Sequence, residues 1–246
     1  MSCIVIIPAR MAATRLPGKP LADIGGTPMI VRVWQSAMKA GTGPVAVAAG
    51  DAEIASVIGQ RGGTAVVTDA ALPSGTDRIH AALGILDPHG VHATVVNLQG
   101  DLPLLDPVQL RTVKETLETS DADIATLVAP ITNPADLDNP NVVKPVVAWA
   151  EGESYGRALY FSRARVPFGD GPHYHHIGIY AFRRNALARF VELPASPLER
   201  RERLEQLRAL EAGMQIVVAR VNEAPLSVDT PEDLERARAA ALSGTK

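Results

Sequence analysis

Residues 3–20 read Cys3-Ile4-Val5-Ile6-Ile7-Pro8-Ala9-Arg10-Met11-Ala12-Ala13-Thr14-Arg15-Leu16-Pro17-Gly18-Lys19-Pro20. The opening run from Cys3 to Ile7 is apolar and largely β-branched, with no polar alternation, which describes a short strand buried on both faces. Val45–Ala49, Thr64–Val67 and Thr94–Leu98 are runs of the same kind. Helical periodicity lies between them, in Ile30, Val33, Trp34 and Ala37 and again in Ile79, Ala82, Leu83 and Leu86. Strand alternating with helix predicts right-handed crossovers and an α/β fold built on a mainly parallel sheet. Ligands of such sheets bind beyond the carboxyl ends of the strands. The loops after Ile7, Ala49, Val67 and Leu98 are therefore the ones that matter for function.

From about 130 to 185 the pattern changes. Val142–Trp149, Ala158–Phe161 and His176–Phe182 read as strands without long helices between them, so an inserted antiparallel sheet is expected. Helical periodicity returns over Leu198–Ala212, followed by a strand at Ile216–Val221 and a last helix from Thr230. No linker or repeat interrupts the chain. The expectation is one domain over 1–246, with an insertion at about 130–185.

With 246 residues the chain is large enough to bury about 72% of its surface on folding. Its 24 Lys+Arg against 27 Asp+Glu give a net charge of −3, which argues against a nucleic-acid partner. Aromatic residues make up 4%, too few for a base-stacking surface. Cys3 is the single cysteine, in keeping with a reducing cytoplasm. No apolar run approaches the ~20 residues of a membrane span, and the N-terminus lacks the basic start of a signal peptide.

The first loop gathers Arg10, Arg15 and Lys19 directly after a strand. A triphosphate would supply the matching charge, each close pair being worth up to about 4 kcal/mol at an effective dielectric of 20; a solvated basic loop is the alternative. It is neither a Walker loop, since proline follows Gly18-Lys19, nor a dinucleotide fingerprint. Asp101, in Asn97-Leu98-Gln99-Gly100-Asp101, stands just past a buried strand and is either a turn residue or a ligand for Mg²⁺. In Val228-Asp229-Thr230-Pro231-Glu232-Asp233, capping accounts for Thr230 and Asp233 but leaves Asp229 without a structural task. Ser74-Gly75-Thr76-Asp77-Arg78 opens a helix, where Thr76 or Asp77 caps the end or the amides meet an oxygen-rich ligand. His176, Gly178 and Tyr180 alternate onto one strand face, leaving a gap over Gly178 for a small polar ligand. A structural zinc site among the histidines lacks companion cysteines. Glu205 and Gln206 fall off the Leu204, Leu207, Leu210 stripe of their helix.

In their order, IPAR…TRLPGKPL, SGTDR, VVNLQGD, NPNVVK, ALYFSRARVP, HIGIY, LEQLRALE and VDTPEDLE resemble the 3-deoxy-manno-octulosonate (Kdo) cytidylyltransferases over nearly the whole chain. The resemblance implies a Rossmann-like nucleotidyltransferase fold and a Mg²⁺-dependent homodimer that couples CTP to Kdo, giving CMP-Kdo and pyrophosphate for lipopolysaccharide synthesis. It further implies that Arg10 and Lys19 grip the CTP phosphates, with Arg15 near the triphosphate or sugar. Ser74, Gly75, Thr76, Asp77 and Arg78 would read cytosine and ribose. Asp101 and Asp229 would ligate Mg²⁺, and Gln99, Arg163, His176, Tyr180, Glu205 and Gln206 would surround Kdo. The rival sugars are sialic acid and the 8-amino analogue of Kdo; a rival class is a catalytically silent nucleotide-binding protein. No general base stands out. The chain departs from the family pattern at Ala13, where serine is usual, at Leu102, where glutamate is usual, and at Pro145, whose missing N–H suggests an edge strand. The stretch from Pro167 to His173 is also short for the family.

Overall fold

The computed structural model describes residues 2–12, 15–150 and 152–243, so Ala13 lies outside the described residues. In chain order the elements are β1 (Cys3–Ala9), β2 (Asp23–Ile24), β3 (Thr27–Pro28), α1 (Met29–Ala40), β4 (Val45–Ala49), α2 (Ala52–Gly59), β5 (Thr64–Val67), α3 (Gly75–Leu86), β6 (Thr94–Leu98) and α4 (Pro107–Glu118). They continue with β7 (Ile124–Pro130), β8 (Lys144–Trp149), β9 (Tyr155–Ser162), β10 (Tyr174–Arg183), α5 (Arg184–Glu192), α6 (Pro197–Glu202), α7 (Leu207–Glu211), β11 (Ile216–Arg220) and α8 (Pro231–Ser243). Two compact units result, one built from residues up to Arg111 and from Pro225 onward, the other from Thr112 to Ala224.

In the first unit the strands run β5-β4-β1-β6, all parallel, with Val5 opposite Val45 and Val96. β1 lies between two strands and packs against α1 and α3, so all of its residues are buried, as its unbroken apolar run requires. Ile30, Val33 and Ala37 of α1 point inward, while Trp34 is half-buried. α1 stops at Gly41 in the left-handed conformation, whose N–H bonds the Met38 carbonyl. At Gly43, φ is 152° and a Cβ would lie 2.1 Å from the Cys3 carbonyl oxygen. Only glycine lets the chain cross the start of β1 on its way into β4.

A smaller core in the same unit joins Ile24, Met29, Val228, Leu234 and Ala237, with Leu16 packed against it. It seats α8 beside the first loop. Thr230 Oγ1 accepts the Asp233 N–H at 3.2 Å, and Asp233 Oδ2 accepts the Thr230 N–H at 2.9 Å, which is the expected capping box.

In the second unit the order is β10-β7-β11-β9-β8. β11 runs parallel to β7, and the other pairings are antiparallel, so the antiparallel addition to the parallel α/β frame is present. β7, which sequence reading overlooked, lies inside this sheet. Pro145 sits on β8 at the end of the order, where a missing N–H leaves no ladder bond unmade. The continuous helix expected over 198–212 is broken instead: Arg203 adopts φ 56°, and α6 and α7 stand on either side of a turn. Leu210, expected to face the core, is only half-buried, while Gln206 is buried. No described helix is long and apolar enough to cross a membrane.

Thr230→Ala removes the acceptor for the Asp233 N–H and is expected to cost about 1 kcal/mol. A urea titration should show a lower midpoint with an unchanged slope.

Candidate active site

The four loops at the carboxyl ends of β1, β4, β5 and β6 all take part in one construction. Pro8 and Ala9 at the end of β1, with Arg10 and Ala12 just after it, form one side of a cavity of about 290 Å³; Gln99, Gly100 and Asp101 after β6 form another, and Ser74 and Gly75 at the start of α3 a third. Gly100 is a requirement of this closeness, because a Cβ there would lie 2.8 Å from the Pro8 carbonyl oxygen. Behind the cavity, Asp51 after β4 accepts the Met11 N–H at 2.8 Å and so ties down the first loop. Asp51 went unnoticed in the sequence, where it reads as an ordinary residue before a helix.

Lys19 and Asp101 line the same cavity. The Lys19 ammonium donates to Asp101 Oδ2 at 3.1 Å and to Asp229 Oδ1 at 3.0 Å. Arg15 adds a longer pairing with Asp229, at 3.4 Å. Asp229 thus has the task that capping left open, and its own N–H is held by Asp233 Oδ2 at 3.0 Å. The backbone closes the join as well, the Val228 N–H donating to the Asp101 carbonyl at 2.9 Å. Burial alone would lower the Lys19 pKa, but the two carboxylates raise it above its ordinary value. Burial raises the Asp101 carboxyl above its ordinary pKa, against the pull of Lys19 and with the charge of Asp229 adding to the rise.

Arg78 is almost fully buried, at 2% exposure. Its Nη1 donates to Thr68 Oγ1 at 2.6 Å and to the Asp69 carbonyl at 3.1 Å, fastening the loop after β5. Burial first, then the nearby charge of Arg10, lowers its pKa. A Cβ on Gly50 would lie 3.0 Å from both Arg10 and Arg78, so glycine is what lets these two cations share the site. An anion is the natural third party. Ser74, rather than Thr76 or Asp77, caps α3: its Oγ accepts the Asp77 N–H at 3.1 Å and donates to Asp77 Oδ2 at 2.6 Å. Leu102, at the position where a carboxylate was expected, is 5% exposed and belongs to the core.

The second unit gathers the other predicted residues. β10 does not alternate regularly, because its register against β7 shifts between Ile177 and Tyr180. Thr126 of β7 holds the bulge, its Oγ1 lying 3.0 Å from the Ile177 carbonyl, 2.8 Å from the Ile179 carbonyl and 3.0 Å from His176 Nε2. The hydroxyl has one proton for a carbonyl, so His176 Nε2–H is the donor to it. In a regular strand, residues four apart stand about 13 Å from each other. Here the His176 and Tyr180 rings are 5.5 Å apart and touch, so the gap expected over Gly178 is closed. Burial, with His175 adding, lowers the His176 pKa to about 3. The imidazole is neutral. Tyr180 is raised by burial and by Glu205. Arg163 uses its guanidinium on backbone, Nε donating to the Glu202 carbonyl at 2.7 Å and Nη1 to the Pro140 carbonyl at 2.8 Å. Among the described residues no group of three or more His, Cys, Asp or Glu is placed to hold a metal.

Comparison with known proteins decides the family. The cytidylyltransferase family model matches residues 4–216. The 3-deoxy-manno-octulosonate cytidylyltransferase of Parvibaculum lavamentivorans is 62% identical over 96% of this chain and 92% of its own length. That of Rhodospirillum rubrum is 62% identical over 96% of this chain and 94% of its own. The chain belongs to the 3-deoxy-manno-octulosonate cytidylyltransferase family. Among solved structures, a CMP:2-keto-3-deoxy-manno-octonic acid synthetase complexed with CTP superposes with a TM-score of 0.91 at 36% identity, covering 99% of this chain and all of its own. The expected nucleotidyltransferase fold is therefore correct. Within this member of the family, the first unit brings together Arg10, Arg15, Lys19, Ser74, Gly75, Arg78, Gln99, Asp101 and Asp229.

Because His176 is neutral in the fold and ordinary when unfolded, the unfolded state binds the extra proton below about pH 6.5. Stability therefore falls as pH drops from there toward about 3. Chemical denaturation should show His176→Gln losing about 2 kcal/mol less than the parent between about pH 7 and about pH 5.

Proposed function

We propose that this chain activates Kdo with CTP: the anomeric hydroxyl attacks the α-phosphorus in line, CMP-Kdo forms, and pyrophosphate leaves. The observation that carries the reading is the Lys19 ammonium held between Asp101 and Asp229 at 3.1 and 3.0 Å, at the mouth of the cavity lined by Arg10 and Arg78. Two carboxylate oxygens converging on one cation are a hard-oxygen donor set and fit Mg²⁺. Asp101 and Asp229 are the residues that would hold it, and when bound it would neutralise charge on the phosphate oxygens. Arg10 and Lys19 take the phosphates, with Arg15 beside them. Gly75, Thr76 and Asp77, with Ser74 and Arg78 holding the loops in place, form the nucleoside side. Positioning and charge neutralisation by these residues supply most of the acceleration.

Arg163, His176, Tyr180, Glu205 and Gln206 of the second unit form the sugar-acid side of the reaction. With its imidazole neutral, His176 serves as a hydrogen-bonding group toward the sugar and not as a cation. The enzyme acts in the cytoplasm as a homodimer, through the strands of the 130–185 stretch.

Pyrophosphate release from CTP with Kdo, with and without Mg²⁺, tests the reading. Asp101→Ala should lower turnover by at least about 100-fold, since several kcal/mol of charge stabilisation go with that carboxylate. Turnover close to that of the parent would remove Asp101 from the metal site. Offering sialic acid and 8-amino-Kdo in parallel separates the sugars, and CTP binding without pyrophosphate release from any of them would mark a silent protein.

A further inference from the structure

The second unit holds a polar cluster that none of the catalytic assignments uses. Lys144 is completely buried, and its ammonium donates to the carbonyls of Asn139 at 2.9 Å, Val142 at 2.6 Å and Arg163 at 2.8 Å. Glu202 faces the same strand end. Its carboxylate accepts the Ser162 hydroxyl at 2.8 Å, the Arg163 N–H at 2.9 Å and the Tyr160 hydroxyl at 3.4 Å. The Arg163 guanidinium returns the contact, to the carbonyls of Glu202 at 2.7 Å, Arg203 at 3.2 Å and Pro140 at 2.8 Å. Three separate segments, 139–144, 160–163 and 202–203, are thereby locked to one another. A fourth joins through the Val143 carbonyl, which accepts the His176 N–H at 2.9 Å.

The charges in this clasp do unequal work. The Glu202 carboxylate accepts from two hydroxyls and a backbone amide, contacts that set direction more than they add stability. Of the five N–H donors of Arg163, three point at backbone carbonyls and two are left. Immediately after Glu202, Arg203 takes φ 56°, and the turn that follows carries Glu205 and Gln206.

The geometry points to Glu202 as a positioning residue for the sugar acid: its carboxylate fixes the backbone at Ser162 and Arg163 while its carbonyl takes the Arg163 Nε–H, so that it places Arg163 and the turn carrying Glu205–Gln206 without itself touching substrate. This rests on the reading that Arg163, Glu205 and Gln206 meet the sugar. Glu202 then governs affinity for the sugar and leaves the nucleotide alone.

The test is a split of KM values in the full-length enzyme. Glu202→Ala is expected to raise KM for Kdo by about tenfold or more, with KM for CTP and the calorimetric Kd of CTP changed by less than about twofold. Glu202→Gln should restore KM for Kdo to within about threefold, because its amide oxygen can still accept the Arg163 N–H while its NH₂ meets the hydroxyls. Tyr180→Phe and Gln206→Ala are measured alongside as direct contacts. If they raise KM for Kdo and Glu202→Ala does not, the positioning role is wrong and the sugar site stands. If none of the variants moves KM for Kdo, the sugar-site assignment falls and takes the positioning role with it. A parallel rise in KM for CTP in Glu202→Ala would mark a general loss of structure and overturn the proposal too.

Discussion

A carboxylate drawn partly out of water needs a cation within reach, and Asp101 shares one ammonium, that of Lys19, with the more exposed Asp229. Lys19 lies 82 residues from Asp101 and 210 from Asp229, so the contact exists only when three distant segments arrive together. Two negative charges on one positive leave an excess that Arg15 offsets only in part from 3.4 Å. The group therefore has an unfilled demand for positive charge, while Arg10 and Arg78 close by have the opposite demand. A site unbalanced in both senses within one cavity suits a ligand that carries phosphate together with a divalent cation. Stability alone would be served better by apolar side chains of similar volume.

The rest of the first unit reads as provision for that contact. The small core of Ile24, Met29, Val228 and Leu234, with Leu16 against it, brings the segment before Lys19 and the segment before Asp229 to the same place. The capping box orients α8, and its Asp233 carboxylate reaches one residue further to hold the Asp229 N–H. Gly100 removes the side chain that would keep the β6 loop away from β1. Each device is local, and each acts on the position of a charge.

The second unit solves a different problem with neutral groups. Its sheet is irregular where Thr126 admits the bulge in β10, and the irregularity brings two rings into contact that a regular strand would keep apart. Here the groups are a neutral imidazole and a half-buried phenol that keeps its proton. Lys144, Arg163 and Glu202 in the same unit make contacts that mostly end on backbone, which makes their arrangement stiff without concentrating charge. A sugar acid presents hydroxyls and one carboxylate, and a stiff frame with few formal charges can tell such ligands apart by shape and hydrogen bonding.

Much of this was legible in the sequence by itself. The apolar runs at Cys3–Ile7, Val45–Ala49 and Thr94–Leu98 determined the parallel frame, because a strand covered on both faces has no polar side to show; Thr64–Val67 pairs in parallel as expected, but at the end of the strand order it is partly exposed and not buried on both faces. Capping explained Thr230 and Asp233 and so singled out Asp229 as a residue left over. Other features were decided only in three dimensions. β7 was overlooked although its run is as apolar as β1, since neighbouring signals there gave it no partner. The break at Arg203, the bulge at Thr126 and the burial of Gln206 depend on contacts between segments far apart in the chain. Alternation and periodicity describe one element at a time. They therefore foretold most of the inward faces of single elements, and they could not foretell that Lys19, Asp101 and Asp229 would meet at 3 Å.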